Sequence, residues 1–244
     1  MKFVTAFLRS FFLQASWNFN RLQGTGWSIT IEPLLRLLPG GKHGRSYRDA
    51  MARASQYFNS HPFFANFAIA AVARAELKGV DAEQVEKFRD AIKGPLGSVG
   101  DRLIWAGLLP VASALGLLAA VLVAPLVGVA TLLVTFNVVH VAIRMWGLRA
   151  GWRSGFGVGK ALHSRALQSS IKFGEFAAPF AFGLATPVLA VHYLSGFDTG
   201  ARIAALGAAA VTVMFFRWVM PTASAARFGT AAIVLALVIG GLWG

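Results

Sequence analysis

Cysteine is absent from this 244-residue chain. That excludes a disulfide framework, thiolate chemistry and any cysteine-ligated metal. Acidic residues are scarce as well: ten Asp and Glu stand against 23 Lys and Arg. Only 14% of residues are charged, where a soluble domain carries about 25%. With so few carboxylates, no pair arranged for acid–base catalysis suggests itself. The histidines, His43, His61, His140, His163 and His192, are scattered, and none pairs at i, i+4 with a carboxylate as a metal site would. No catalytic residue, metal or cofactor is therefore expected. The alternation that marks a strand is nowhere sustained, so the chain is expected to be all-α.

Long apolar runs fill the space that charge leaves. After residue 102 only eleven charged side chains occur in 142 positions. Leu103 to Ile143 has none at all, enough for two spans of about 20 residues each. Phe176–Phe197 and Phe228–Gly244 are also uncharged, and Ile203–Phe216 is a shorter, weaker candidate. Together these make about five hydrophobic segments, with Pro125 and Gly128 splitting the longest run. The reading is a polytopic integral membrane protein in contact with the lipid bilayer. A net charge of +13 raises the question of nucleic acid, but its distribution argues against that partner. Six basic residues and no acid lie between Arg144 and Lys172, flanked by hydrophobic runs. Stretch 144–172 therefore reads as a basic cytoplasmic loop under the positive-inside rule, which also places the N-terminus in the cytoplasm.

Residues 1–102 form an N-terminal portion of amphipathic and mainly cytoplasmic helices, and 103–244 the transmembrane portion. Val4, Leu8, Phe12, Ala15, Phe19 and Leu22 recur at helical spacing opposite Lys2, Arg9 and Asn20. This suits a helix lying in the membrane interface or on partner helices, ended by Gly24 and Gly26. Arg9 interrupts the apolar stretch, so a secretory signal is not expected. Further helices are expected over Ser46–Phe58, opened by Ser46 with Asp49, and from Pro62 to Lys78, closed by Gly79. Another starts at Asp81 and stops at Gly94–Pro95. Segment Pro62–Val72 is apolar but too short to span, and is expected to be buried against protein. Near residues 94–125 a re-entrant hairpin is a candidate, because broken backbone at membrane depth must be buried or line a cavity.

Two glycine-rich stretches need testing as nucleotide motifs. "GFGVGKA" at 155–161 has serine where the first Walker glycine belongs, and Ala161 where Ser or Thr would hold magnesium. "KGPLGSVGDRLIW" at 93–105 lacks Gly-x-Gly-x-x-Gly and follows a helix. Neither cradles phosphate. In the second, Gly94, Gly97 and Gly100 permit close backbone approach. Asp101 there is either a group facing a polar path or a cap on the next helix, with Arg102 beside it. His61, in "YFNSHPFF", is either a packed histidine at a helix start or a group facing a subunit or ligand.

Three ordered blocks, "RSFFLQASWNFNRLQGTGW" (9–27), "YFNSHPFF" (57–64) and "IKGPLGSVGDRLIWAGLLP" (92–110), together with "VIGGLWG" at the C-terminus, resemble component IID of the mannose-type bacterial phosphotransferase system (mannose, fructose, sorbose). The resemblance implies a permease subunit of the bacterial inner membrane that, with a IIC partner, translocates mannose-class hexoses or amino sugars. It implies a higher-order hetero-oligomer, with phosphoryl transfer on separate IIA and IIB proteins and no catalysis on this chain. The motif positions it marks as subunit-contact candidates are Gln14, Trp17, Asn18, Arg21, Gln23, Asn59, His61 and Pro62. Gly94, Pro95, Gly97, Gly100, Asp101 and Arg102 are candidates for a substrate path or hinge. Ser98 replaces a family glycine, Val99 an isoleucine, and Arg102 a serine. Arg102 would be able to neutralise Asp101, which keeps open a regulatory or anchoring subunit that passes no sugar.

Overall fold

The computed structural model describes residues 1–201, 203–204 and 207, and every regular element among them is helical. The expected segments 203–216 and 228–244 fall outside the described residues, save for Ile203, Ala204 and Gly207. The chain divides into two compact units, Met1–Leu189 and Ala190–Gly244. In the second, the Asp198 carboxylate accepts the N–H of Ala201 at 3.0 Å and closes a turn.

The first helix, α1 (Lys2–Ser10), is half the expected length, and turns follow from Phe11. Gly24 and Gly26 do not end it; they open α2 (Gly24–Leu35). The cause is close approach: a Cβ on Gly26 would overlap the Leu13 carbonyl, and one on Gly24 the Gln56 carbonyl. α2 is therefore buried nearly all round, with Trp27, Ile31, Leu34 and Leu35 inaccessible. Its Glu32 carboxylate takes hydrogen bonds from Arg9 (2.8 Å), Arg36 (2.5 Å) and Tyr47 (3.0 Å). Burial alone would raise the pKa of Glu32; the bonds from Arg36, Tyr47 and Arg9 outweigh it and hold the carboxyl below its usual range.

α3 (Arg45–Ala54) is capped at Gly44, so Ser46 lies inside it and the helix stops short of Phe58. Arg53 makes a two-pronged ion pair with Glu76 (3.0 and 2.7 Å), tying α3 to α4 (Ala65–Leu77). α4 begins three residues after Pro62, because the His61 carbonyl first accepts the N–H groups of Phe64 and Ala65 in a tight turn. It ends at Lys78, with Gly79 at φ 67° as expected. Phe67, Ala68, Ile69, Ala70 and Ala71 have no accessible surface, so the short apolar segment is indeed packed against protein.

Asp81 caps α5 (Ala82–Gly100) by accepting from Glu83 (3.0 Å) and Gln84 (3.3 Å). The expected stop at Gly94–Pro95 is absent. The rod continues through a π-helical segment, Asp101–Leu108, into α6 (Leu109–Leu122). Pro95 has no N–H for the Ala91 carbonyl, but it is exposed, while neighbouring Ile92 and Leu96 are buried and hold the helix. Through the candidate stretch 94–125 the rod is unbroken to Leu122 and bends at Val123–Ala124, where α6 turns back into α7 (Pro125–Ser154), so the arms of this hairpin reach well beyond that stretch. Its arms approach closely because Gly116 and Gly128 face each other; a Cβ on Gly128 would overlap Ala120.

The stretch 144–172 is not a loop. α7 runs through it to Ser154, followed by a 3-10 turn (Gly155–Val158), the short α8 (Gly159–Leu162) and α9 (Arg165–Leu194). Arg144 is buried rather than solvated. Its Nε donates to His140 Nε2 at 2.6 Å, Nη1 donates to the Ser10 carbonyl, and its plane lies over Phe11 (5.0 Å) and Phe63 (4.8 Å). Asn66 completes the junction by donating to the Arg144 carbonyl (3.1 Å) and the Ser10 hydroxyl (3.2 Å). Further along, Gly147 and Gly151 lie flush on Phe67 and Ala70 of α4. Among the described residues, three helical stretches are long and apolar enough to cross a membrane: Ala82–Leu122, Pro125–Leu162 and Arg165–Leu194.

Candidate functional site: a polar cleft at the head of the π-helical segment

The three motif blocks of sequence lie far apart along the chain, yet backbone pairing brings them together. Leu22 bridges Asn18 and Phe58, and holds the left-handed φ of 48° that this requires. Phe58 N–H donates to Arg21 (3.3 Å) and Gln23 N–H to Phe58 (2.9 Å). The Gln23 amide then pairs with Ser60 as one peptide does with another: Nε2 donates to its carbonyl (2.6 Å) and Oε1 accepts its N–H (3.3 Å). Ser60 Oγ in turn donates to the Lys93 carbonyl at 3.1 Å. One buried glutamine and one serine thus join first, second and third blocks.

The result is a cleft of about 530 Å³ lined from all three. Of the expected residues it gathers Gln14, Gln23, Asn59, His61, Pro62, Gly94, Gly97 and Asp101. Trp17, Asn18, Arg21, Pro95, Gly100 and Arg102 are outside its lining and act around it. Asn18 builds the preceding turn, its Oδ1 accepting from Asn20 (3.1 Å) and Arg21 (3.0 Å). Trp17 is half exposed and packs edge-on to Phe19 at 5.2 Å. Pro95 sits on the outer face, and the Arg21 carbonyl carries part of the pairing described above. Gly100 leaves room for the imidazole of His61, since a Cβ there would overlap His61 Cβ and Cγ.

His61 is 2% exposed. Its Nδ1 faces the Phe63 N–H at 3.2 Å; a backbone N–H only donates, so Nδ1 accepts and the ring proton sits on Nε2. Nε2 is buried with no partner among the described residues. Burial, then the nearby Arg144 and His140, push the His61 pKa down to about 4. In this tautomer Nδ1 gives its lone pair to the Phe63 N–H and Nε2 carries the proton, so the ring offers no free lone pair to a phosphoryl donor. Trp105 lies 5.1 Å from this ring and is half exposed at the cleft mouth.

Asp101 does not cap a helix, because the rod passes through it without interruption. Nor is it neutralised by Arg102. That guanidinium points to α9 and pairs with Glu175 at 2.7 Å, beside the point where Gly107 and Gly174 let α9 touch the π segment. Among the described residues Asp101 has no side-chain hydrogen bond or ion pair, so the cleft holds a free carboxylate. It also holds Lys93, which pairs with Asp90 (2.5 Å) and stands 5.0 Å from the Tyr57 ring. Lys93, Tyr57, Ser60 and Trp105 were not singled out from sequence, although each lies inside a quoted block. Amides, a carboxylate, a neutral imidazole and an exposed indole can hydrogen-bond and stack on an uncharged polar ligand or on polar protein backbone. No group of three or more His, Cys, Asp or Glu gathers to hold a metal among the described residues.

The profile of the PTS system mannose/fructose/sorbose family IID component matches residues 1–187. The mannose-specific EIID component of Escherichia coli is 30% identical over 183 residues, covering 72% of this chain and 64% of its own. The sorbose-specific EIID component of Klebsiella pneumoniae is 30% identical over 186 residues, covering 74% and 67%. The fructose permease IID component of Bacillus subtilis is 28% identical over 182 residues, covering 72% and 65%. The matched stretch thus spans under two thirds of the Escherichia coli and Bacillus subtilis relatives' own length. A solved structure of the mannose transporter ManYZ with a microcin is similar over 75% of this chain and 68% of its own, at 28% identity and TM-score 0.59. A second, described as a membrane protein, gives TM-score 0.66 at 27% identity over 75% and 68%.

Proposed function

Because this chain belongs to the IID component family of the mannose/fructose/sorbose phosphotransferase system, we propose that it is the permease subunit which, with a IIC partner, passes mannose-class hexoses or amino sugars across the bacterial inner membrane. Phosphorylation is supplied by separate IIA and IIB proteins, and this chain performs no phosphoryl transfer itself. The basic end of α7 and the N-terminal helices face the cytoplasm, the division falling near residue 102. The assembly is a higher-order hetero-oligomer, and the exposed Val4, Leu8, Phe12 and Phe19 meet lipid or the partner.

One observation carries the reading. All three family blocks converge on a single polar cleft at the head of a π-helical segment, a departure from α geometry that is frequent at functional sites. Its free Asp101 stands at the head of the uncharged run that starts at Leu103, and a carboxylate kept there without a counter-ion among the described residues is a functional group by default. The test is uptake of labelled sugar by vesicles containing this chain and IIC, with and without phosphorylated IIB. Asp101→Asn is expected to cut coupled uptake at least ~10-fold, the equivalent of about 1.4 kcal/mol, while the complex still assembles. Absent coupled uptake in the unmutated complex, with IIB still bound, would overturn transport in favour of an anchoring role. A phosphohistidine trapped at His61 would overturn the assignment of phosphoryl transfer to other chains.

A further inference from the structure

α4 and α7 run side by side in the same direction: Phe67 and Ala70 meet Gly147 and Gly151, and Arg74 meets Trp152 and Arg153. Their C-termini therefore finish at one level. There Arg74, Leu77, Lys78, Trp152 and Arg153 line a second cavity of about 390 Å³, remote in sequence from the motif blocks and lined by no carboxylate. Arg74 Nη1 donates to the Trp152 carbonyl at 2.8 Å and also to that of Arg153, which fixes its charge at the rim. Lys78 and Arg153 have no ion pair among the described residues. A bland account is that three cations offset two helix C-termini. Each terminus carries only about half a negative charge, so roughly two positive charges remain uncompensated.

Depth along α7 says what meets them. From Leu126 to Trp152 the helix rises about 39 Å, close to the ~40–45 Å of a bilayer with its headgroups. Leu126 to Ile143 fills the hydrocarbon and Trp152 stands at the headgroup level, packed edge-on to Phe3 at 4.6 Å. An indole beside a cationic pocket at that depth is the usual furniture of the lipid interface.

We propose that this cavity is a binding site for the phosphodiester of an anionic phospholipid, gripped by Arg74, Lys78 and Arg153, with Leu77 and Trp152 against its glycerol and upper acyl carbons. It stands on membrane location alone and is independent of any sugar route. The probe is dioleoyl-phosphatidylglycerol added to the full chain in neutral detergent, read by thermal shift and by native mass spectrometry. Dioleoyl-phosphatidylcholine and inorganic phosphate are the comparison arms. The glycerol lipid is expected to raise Tm and to stay bound in the gas phase; the other two are not. Lys78→Gln with Arg153→Gln should leave the lipid-free Tm unchanged and weaken lipid binding about 30-fold, some fivefold per cation, while Arg153→Lys retains it. Undiminished lipid binding in the double variant overturns the site. An equal shift with inorganic phosphate overturns the lipid as its occupant. Loss of IIB binding in the double variant, with lipid binding intact, assigns the surface to a protein partner instead.

Discussion

The contact between Gly100 and His61 permits a test in which one helix supplies its own control. Gly97 and Gly100 both lie in α5, and a methyl group can be added to either. At Gly97 nothing lies within 4 Å of the new carbon. At Gly100 it would sit 2.9 Å from His61 Nδ1 and overlap Cβ and Cγ, the root of the side chain. A rotamer change cannot move a root, so backbone has to shift. Alanine in place of glycine inside a helix contributes ~1 kcal/mol in both variants, while overpacking costs ~1–3 kcal/mol only at Gly100. The difference between Gly97→Ala and Gly100→Ala isolates the overpacking. At about 2–4 °C per kcal/mol, their melting temperatures in detergent should differ by roughly 2–12 °C, with Gly100→Ala lower. Adding His61→Ala to Gly100→Ala should recover most of the gap. Equal melting of the two single variants, or the reverse order, refutes the close packing of second and third blocks.

The His61 ring also makes stability pH-dependent. Unfolded, it takes a proton below about pH 6.5; folded, it resists until about 4. The stability from this neutral ring is thus fully present above about pH 6.5 and lost as pH falls toward 4, by ~3 kcal/mol. His61→Phe should flatten the melting profile as pH falls from about 6.5 toward 4; an unchanged slope counts against the buried neutral imidazole. Arg102→Glu should lower stability by ~0.2–1 kcal/mol, since the pair with Glu175 is half exposed. Arg102→Glu combined with Glu175→Arg should restore it, and a double-mutant cycle without coupling would dismiss the tie between the π segment and α9.

Helices near α1, α3, α4 and α5 were readable in the chain, while α2, the helical course of 144–172 and most helix ends were not. Asp81 and Gly79 behave as their chemistry dictates, because a carboxylate accepting from Glu83 and Gln84, or a φ of 67°, is decided within four residues. Gly24, Gly26 and Pro95 carry the same local signs of a break but answer to partners elsewhere: the Leu13 and Gln56 carbonyls for the glycines, the buried Ile92 and Leu96 for the proline. Arg144 looked like one of six loop cations, yet its partners are Ser10, His140 and two phenylalanine faces. Contacts across 134 residues leave no mark in a window of ten. The motif blocks did locate the cleft, since they named most of its lining. That Arg102 turns away to Glu175 was invisible, because Glu175 lies 73 residues on, in a different helix.

The seam between α4 and α7 has a mechanical consequence. Gly151 against the Phe67 carbonyl and Gly147 against the Phe67 ring leave little compliant side chain between the two helices, so they move as one beam. From one end of that beam α7 runs on as its long apolar segment, and at the same end α4 carries His61 by a single tight turn. A tilt of α7, as when the bilayer thins or thickens, is therefore delivered as a displacement of the cleft wall. The cleft is mounted on a lever whose long arm is embedded in lipid.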